Sequence, residues 1–189
     1  MAMHSRAALE RMGFQSLGEN VQVSELASLH GVTRISLGSH ARIDDFCLLS
    51  AGEGGIALGS HVHIAPFCAL VGAGRITLED FSGLAARVSL YSSSDDYTGV
   101  HLTNPTVPPA YTGVKHADVR LGRHAIVGAG SVILPGVILG EGVAIGALSL
   151  VNRSCEPFGI FAGTPARRVG DRSRQLLEAE QRFLASTRT

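Results

Sequence analysis

Between Leu121 and Glu156 an aliphatic residue returns at every sixth position. The stretch divides into LGRHAI, VGAGSV, ILPGVI, LGEGVA, IGALSL and VNRSCE, and each block opens on Leu, Ile or Val. The second position is mostly glycine (Gly122, Gly128, Gly140 and Gly146). The fifth is small or β-branched: Ala125, Ser131, Val137, Val143, Ser149 and Cys155. The frame recurs upstream at Leu37, Ile43 and Leu49, then Leu58, Ile64 and Leu70, then Leu78, Leu84 and Leu90. It slips by two or three residues in the Gly-rich segments Ser50–Ala57 and Val71–Thr77, which read as bulges at a corner. A six-residue period predicts a very short strand followed by a sharp bend, three of which close a triangular coil of about 18 residues. The opening side chains then point inward and stack coil on coil, and the fifth-position residues fit beside the corner. Unrelated hairpin turns of a β-sandwich would not keep a strict six-residue frame.

Composition fits such a column. Twenty-three glycines stand beside 45% hydrophobic residues and no tryptophan, a mixture that weakens ordinary helices and strands unless corners use the glycines. Cys47, Cys68 and Cys155 all fall on fifth positions, where a small apolar side chain is wanted. Three separated cysteines without a Cys-x-x-Cys pair argue against a disulfide framework or zinc finger, and for a reducing, cytoplasmic compartment. Sixteen basic residues balance sixteen acidic ones, so no chain-wide field attracts nucleic acid or a membrane surface. No signal-peptide core and no run of eighteen apolar residues is present.

The 189 residues are read as one domain: an N-terminal cap over 1–31, the column over 32–168, and a C-terminal helix over 169–189. Ser5–Met12 predicts a short helix. Asp171–Ser186 predicts an amphipathic one with Leu176, Leu177, Glu180, Phe183 and Leu184 on one side. Both helices are expected to cover open ends of the solenoid.

Over residues 91–118 the frame stops. The excursion YSSSDDYTGVHLTNPTVPPAYTGVKHAD holds Asp95, Asp96, His101 and His116 among serine, tyrosine and asparagine side chains, a polar site suited to a sugar. Acyl transfer to a hydroxyl needs a base for its proton, so Asp95, Asp96 and His101 are the candidate catalytic residues. A turn role is the competing reading for the aspartates, and solvent exposure for His101. His63 and His124 sit within the coils, where structural roles are expected.

The hexads, together with AGTPARR at Ala162–Arg168, resemble the hexapeptide-repeat acyltransferase superfamily. Within it the chain is similar to maltose- and galactoside-type and surface-polysaccharide sugar O-acetyltransferases. The resemblance, spanning roughly Val32–Arg168, implies a left-handed parallel β-helix and acetyl-CoA as donor. It implies a groove for the pantetheine arm at Gly128, Ala129, Ser131, Gly146, Ala147 and Gly163, with Arg167 and Arg168 on the nucleotide phosphates. It also implies a homotrimer with sites between subunits. Where that family carries a catalytic histidine, this chain has Asp95 and Asp96 in LYSSSDD. The expected reaction is acetyl transfer to a sugar hydroxyl. The alternative is N-acetylation of a nucleotide-linked amino sugar, whose better nucleophile an aspartate can serve.

Two rivals use the same column. A γ-carbonic-anhydrase-type zinc lyase needs His-x4-His, whereas His61 and His63 are two apart and His116 and His124 eight, so no metal is expected. A non-catalytic scaffold would need neither AGTPARR nor the polar loop.

Overall fold

A computed structural model describes residues 2–187 of the chain. Its core is a left-handed parallel β-helix with three flat faces. The first face stacks Ser16–Leu17, Ile35–Leu37, Ile56–Leu58, Ile76–Leu78, Val119–Leu121 and Ile138–Leu139. The second stacks six short strands from Gln22–Val23 to Ala144–Ile145 and continues into an antiparallel hairpin, Gly159–Gly163 with Ala166–Asp171. The third runs from Ser28–His30 to Leu150–Val151, also in six strands. The predicted inward set shares one interior. Leu121, Val127, Ile133, Leu139, Ile145 and Val151 are all buried, as are their upstream equivalents. Each stands on its counterpart one coil away, with Leu58 paired to Leu78, Leu78 to Leu121 and Leu121 to Leu139. Full burial of each aliphatic side chain contributes roughly 1.5–3 kcal/mol, which stabilises short strands that could not persist alone.

The Gly-rich slips are bulges at the third corner, and the strands on either side keep register across them. The first coil begins at Ser16, inside the stretch read as cap, since Ser16–Leu17, Gln22–Val23 and Ser28–His30 pair with the second coil. Its inward positions are Leu17, Val23 and Leu29, six residues apart, and its outward strand residues Ser16, Gln22, Ser28 and His30 are polar. Helix α1, Arg6–Arg11, is N-capped by Ser5 Oγ and buries Leu9 against this coil, so it is the end cap.

Helix α2, Gln175–Ser186, does not cover the other end. It lies along the flank, because the corner between the first two faces offers it a binding surface. The fourth hexad position turns that corner with a left-handed backbone: φ is 61° at His40, 58° at His61, 58° at Phe81 and 60° at His124. Their rings stack from coil to coil at 4.6, 4.8 and 5.3 Å, contacts that offset the strain of positive φ at bulky residues. Phe183 meets His61 and Phe81 edge-on. Glu180 Oε2 accepts from His124 Nε2 at 2.7 Å, and its carboxylate also pairs with Arg123. His124 is thus buried and structural, and burial holds its imidazole below the ordinary histidine pKa.

Candidate active site

The 91–118 excursion leaves the column after Ser89–Tyr91 and returns at Val119–Leu121, so both its feet are fixed by parallel pairing. Between the feet, Ser93–Ser94 and Lys115–His116 form an antiparallel ribbon with Ser93 opposite His116. The ribbon holds the two sides of the loop apart and places Asp95 just beyond its first strand.

The adjacent aspartates have different tasks. Asp96 is buried and saturated with donors: Oδ1 accepts from Thr98 N at 2.8 Å and Thr98 Oγ1 at 2.6 Å, and Oδ2 accepts from His101 N at 2.9 Å with His101 Nδ1 at 3.0 Å. These bonds, those of Thr98 foremost, pull its pKa far below the ordinary carboxylate range. Asp96 is therefore the turn-forming residue, and His101 the clamp that closes this turn. His101 lines none of the clefts that Asp95 lines, so the loop does not bring it to them. Asp95 is the opposite case. Its carboxylate accepts no hydrogen bond from any described residue. It borders three adjoining clefts of about 650, 140 and 720 Å³. One is walled by Tyr91, Tyr97, Val132, Leu134 and Pro135 beside Ser93 and Ser94. The largest combines Ser93, Asp95, Asn104 and His116 with an apolar wall including Val71, Val107 and Val114.

The donor-groove residues also separate. Ser131 is fully buried, and its Oγ donates to Gly146 O and accepts Ser149 N–H, so its side chain is spent inside the column. The amides of Gly128 and Gly146 are likewise used in the ladder, bonding Ile145 O and Phe161 O. Glycine at 128 is a packing requirement: a Cβ there would lie 2.5 Å from Ala147 N. The free donors are the exposed alanines. Ala129 N and Ala147 N, one coil apart at the same corner, have no partner among the described residues. Their spacing offers two N–H groups in line to an extended amide chain. Beyond them Gly163 N–H bonds Ser149 Oγ, which fixes the AGTP turn of the terminal hairpin against the last complete coil. Arg168 is engaged by Glu156 and Asp171, whereas the side chain of exposed Arg167 bonds Ala166 O and has no carboxylate partner among the described residues. Of the predicted arginine pair, only Arg167 is thus uncommitted.

Among the described residues no three His, Cys, Asp or Glu side chains converge as a metal would require, and no helix is long and apolar enough to cross a membrane. The sequence reading did not single out Ala129 and Ala147 from the glycines around them, nor His116 from the other loop histidines. The aromatic ladder was detectable at the fourth hexad position, where His40, His61, Phe81 and His124 recur.

Similarity to known proteins points to an acyltransferase on a hexapeptide column. The pattern of the family described as "Bacterial transferase hexapeptide (six repeats)" matches residues 118–153. A dTDP-4-amino-4,6-dideoxy-D-glucose acyltransferase of Escherichia coli is 47% identical over 186 residues, covering 98% of this chain and 97% of the relative. The N-acyltransferase AntD of Bacillus cereus, solved with dTDP and 3-hydroxybutyryl-CoA, superposes with a TM-score of 0.95 at 40% identity. That match covers 99% of this chain and 98% of AntD. A serine variant of AntD, solved with dTDP-4-amino-4,6-dideoxyglucose and coenzyme A, matches at 41% identity with a TM-score of 0.94, covering 97% of each chain. A maltose O-acetyltransferase of Clostridium difficile is 21% identical, with a TM-score of 0.60 over 89% of this chain and 74% of its own, and shares the fold. The chain belongs to the hexapeptide-repeat sugar acyltransferases, and it is an acyltransferase.

Proposed function

We propose that the protein transfers an acyl group from a coenzyme A thioester to the amino group of a dTDP-linked 4-amino-4,6-dideoxy sugar, with Asp95 as proton acceptor. The observation that carries this reading is the partner-free Asp95 carboxylate at the junction of three clefts. A sugar hydroxyl holds its proton so tightly at neutral pH that an aspartate is a poor base for it. An amine that has released its first proton to solvent carries a lone pair, and a carboxylate suffices to orient the nitrogen and accept the proton it sheds on attack. An aspartate at the position where the similar sugar O-acetyltransferases carry their histidine thus favours N-acylation over the sugar O-acetylation that the repeats first suggested. The near full-length similarity to amino-sugar acyltransferases supports the same choice. In AntD, variants have been made at a serine and at an aspartate ten residues later. Ala85 and Ala86 stand ten residues before Asp95 and Asp96, so here the aspartate has no serine at that spacing.

The pantetheine arm would lie along Ala129 and Ala147, with Arg167 toward the phosphates of the coenzyme. A homotrimer would complete the clefts, which lie open on the single chain. Support for self-association comes from the corner between the second and third faces, where Leu26, Phe46 and Phe67 on successive coils are each at least half exposed. A reaction between a coenzyme A thioester and a nucleotide-linked sugar would run in the cytoplasm.

The test is thiol release from acetyl-CoA and 3-hydroxybutyryl-CoA, measured with the dTDP-linked 4-amino sugar and with its 4-hydroxy counterpart. The amine should be preferred by at least about 100-fold in kcat/KM, roughly 2.7 kcal/mol in transition-state free energy. Equal or faster acylation of the hydroxyl sugar would overturn the reading.

A further inference from the structure

His116 lines the same cleft as Asp95 and offers the imidazole that a family accustomed to a histidine base would use. Its hydrogen bonding assigns it another role. Ser93 Oγ accepts the Ala73 N–H at 2.7 Å and lies 2.7 Å from His116 Nδ1. With one lone pair engaged by the Ala73 amide, the hydroxyl still has a proton to place, and among the described residues the acceptor it meets is Nδ1. With Ser93 donating to Nδ1, a neutral His116 carries its own proton on Nε2. No described residue bonds that second nitrogen. The ribbon register holds the arrangement, because Ser93 and His116 are directly opposed and their side chains share one face.

Resting on the proposed reaction, we infer that His116 is a catalytic hydrogen-bond donor, its Nε2–H directed at the thioester carbonyl oxygen, and not the base. As the sugar nitrogen bonds the carbonyl carbon, negative charge grows on that oxygen and His116 meets it with an N–H. The nitrogen's proton passes to Asp95. Collapse of the tetrahedral species breaks the carbon–sulfur bond, and the leaving sulfur takes the proton from Asp95 to give free coenzyme A. Every proton is accounted for without His116 changing its charge. In the Nε2–H tautomer its one ring lone pair, on Nδ1, is occupied by the Ser93 hydroxyl, so in that form His116 donates and does not serve as the base.

Two measurements test this. Long-range proton–nitrogen correlation spectra of the histidine-labelled protein, without substrate, report the tautomer directly. The expected result is an Nε2–H form for His116 that becomes a mixture in Ser93→Ala, and an Nδ1–H form in the unaltered protein would overturn the inference. In the acylation assay, His116→Phe should lower kcat about 100-fold, the scale of one lost oxyanion donor. His116→Gln, which restores an N–H near the Nε2 position, should recover activity to within about tenfold, with the acid limb of the pH profile unmoved. Glutamine as inactive as phenylalanine, or loss of the acid limb in the glutamine variant, would make His116 the base. The spectra do not depend on the acceptor. A chain inactive on every amino sugar would refute the proposed reaction, and the tautomer result would still stand.

Discussion

Asp95 and Asp96 are neighbours in sequence with the same chemistry, and exchanging each for asparagine separates their roles. Asp95 has a carboxylate without a donor among the described residues, so Asp95→Asn removes a proton acceptor and disturbs none of their bonds. A positioned acid or base contributes typically 10²–10⁴-fold to rate, which at about 1.36 kcal/mol per factor of ten is roughly 2.7–5.4 kcal/mol of barrier. The expected outcome is a kcat lowered by that factor, with KM for both substrates within about threefold and an unchanged melting temperature. Asp96→Asn acts differently. An amide in place of the carboxylate turns an NH2 group toward either the Thr98 pair or the His101 pair of donors, so two of the four bonds oppose donor to donor. Its effect should appear as a loosened loop: faster protease cleavage between 97 and 113, raised KM for the sugar nucleotide, and partial recovery of rate at saturating substrate. The assays are steady-state thiol release and limited proteolysis of the same preparations. If Asp95→Asn retains more than about a third of the activity while Asp96→Asn abolishes kcat with the loop intact, the assignment is reversed and the reasoning from hydrogen-bond saturation fails.

Other consequences follow from the same geometry. Because Asp96 has a folded pKa depressed below its unfolded value, its contribution to loop stability is complete above the ordinary carboxylate range near 4 and is lost only as pH falls through the depressed value. Loop proteolysis should therefore be flat from pH 5 to 8, and a transition in that window that Asp96→Asn removes would contradict it. Arg167→Ala should raise KM for acyl-CoA about tenfold and Arg168→Ala much less. If Arg167 reads the 3′-phosphate, its variant should no longer distinguish coenzyme A from dephospho-coenzyme A, and equal effects at both arginines would refute the distinction drawn from their ion pairs. Glu180→Gln should weaken the seating of α2 by about 2 kcal/mol, less than a fully buried pair because Arg123 is 33% exposed. Hydrogen exchange of residues 175–186 should quicken with the catalytic loop unaffected, and unchanged protection there would show that Phe183 alone holds the helix.

The triangular column was readable because its signal is local and repeated. One aliphatic residue in six, with glycine following, tells each short segment where to bend and which side to bury, and register follows from stacking like on like. AGTPARR and the polar interruption stood out for the same reason, since each is a contiguous departure from the repeat. The choice between Asp95 and Asp96 was not readable. Which of two adjacent carboxylates is saturated depends on where Thr98 and His101 fold back, and a one-residue difference reverses the side each faces. The tautomer of His116 depends on Ser93, 23 residues away, and the free amides of Ala129 and Ala147 on what the neighbouring glycines have already bonded. The course of α2 along the flank was equally hidden, because its apolar side is visible in the chain but the stack of His61, Phe81 and His124 that receives it exists only once three coils are superposed. Periodicity along the chain therefore determined the scaffold, whereas the chemistry was decided by which donors and acceptors the scaffold left unmatched, a property of groups distant in sequence that meet only in the folded state.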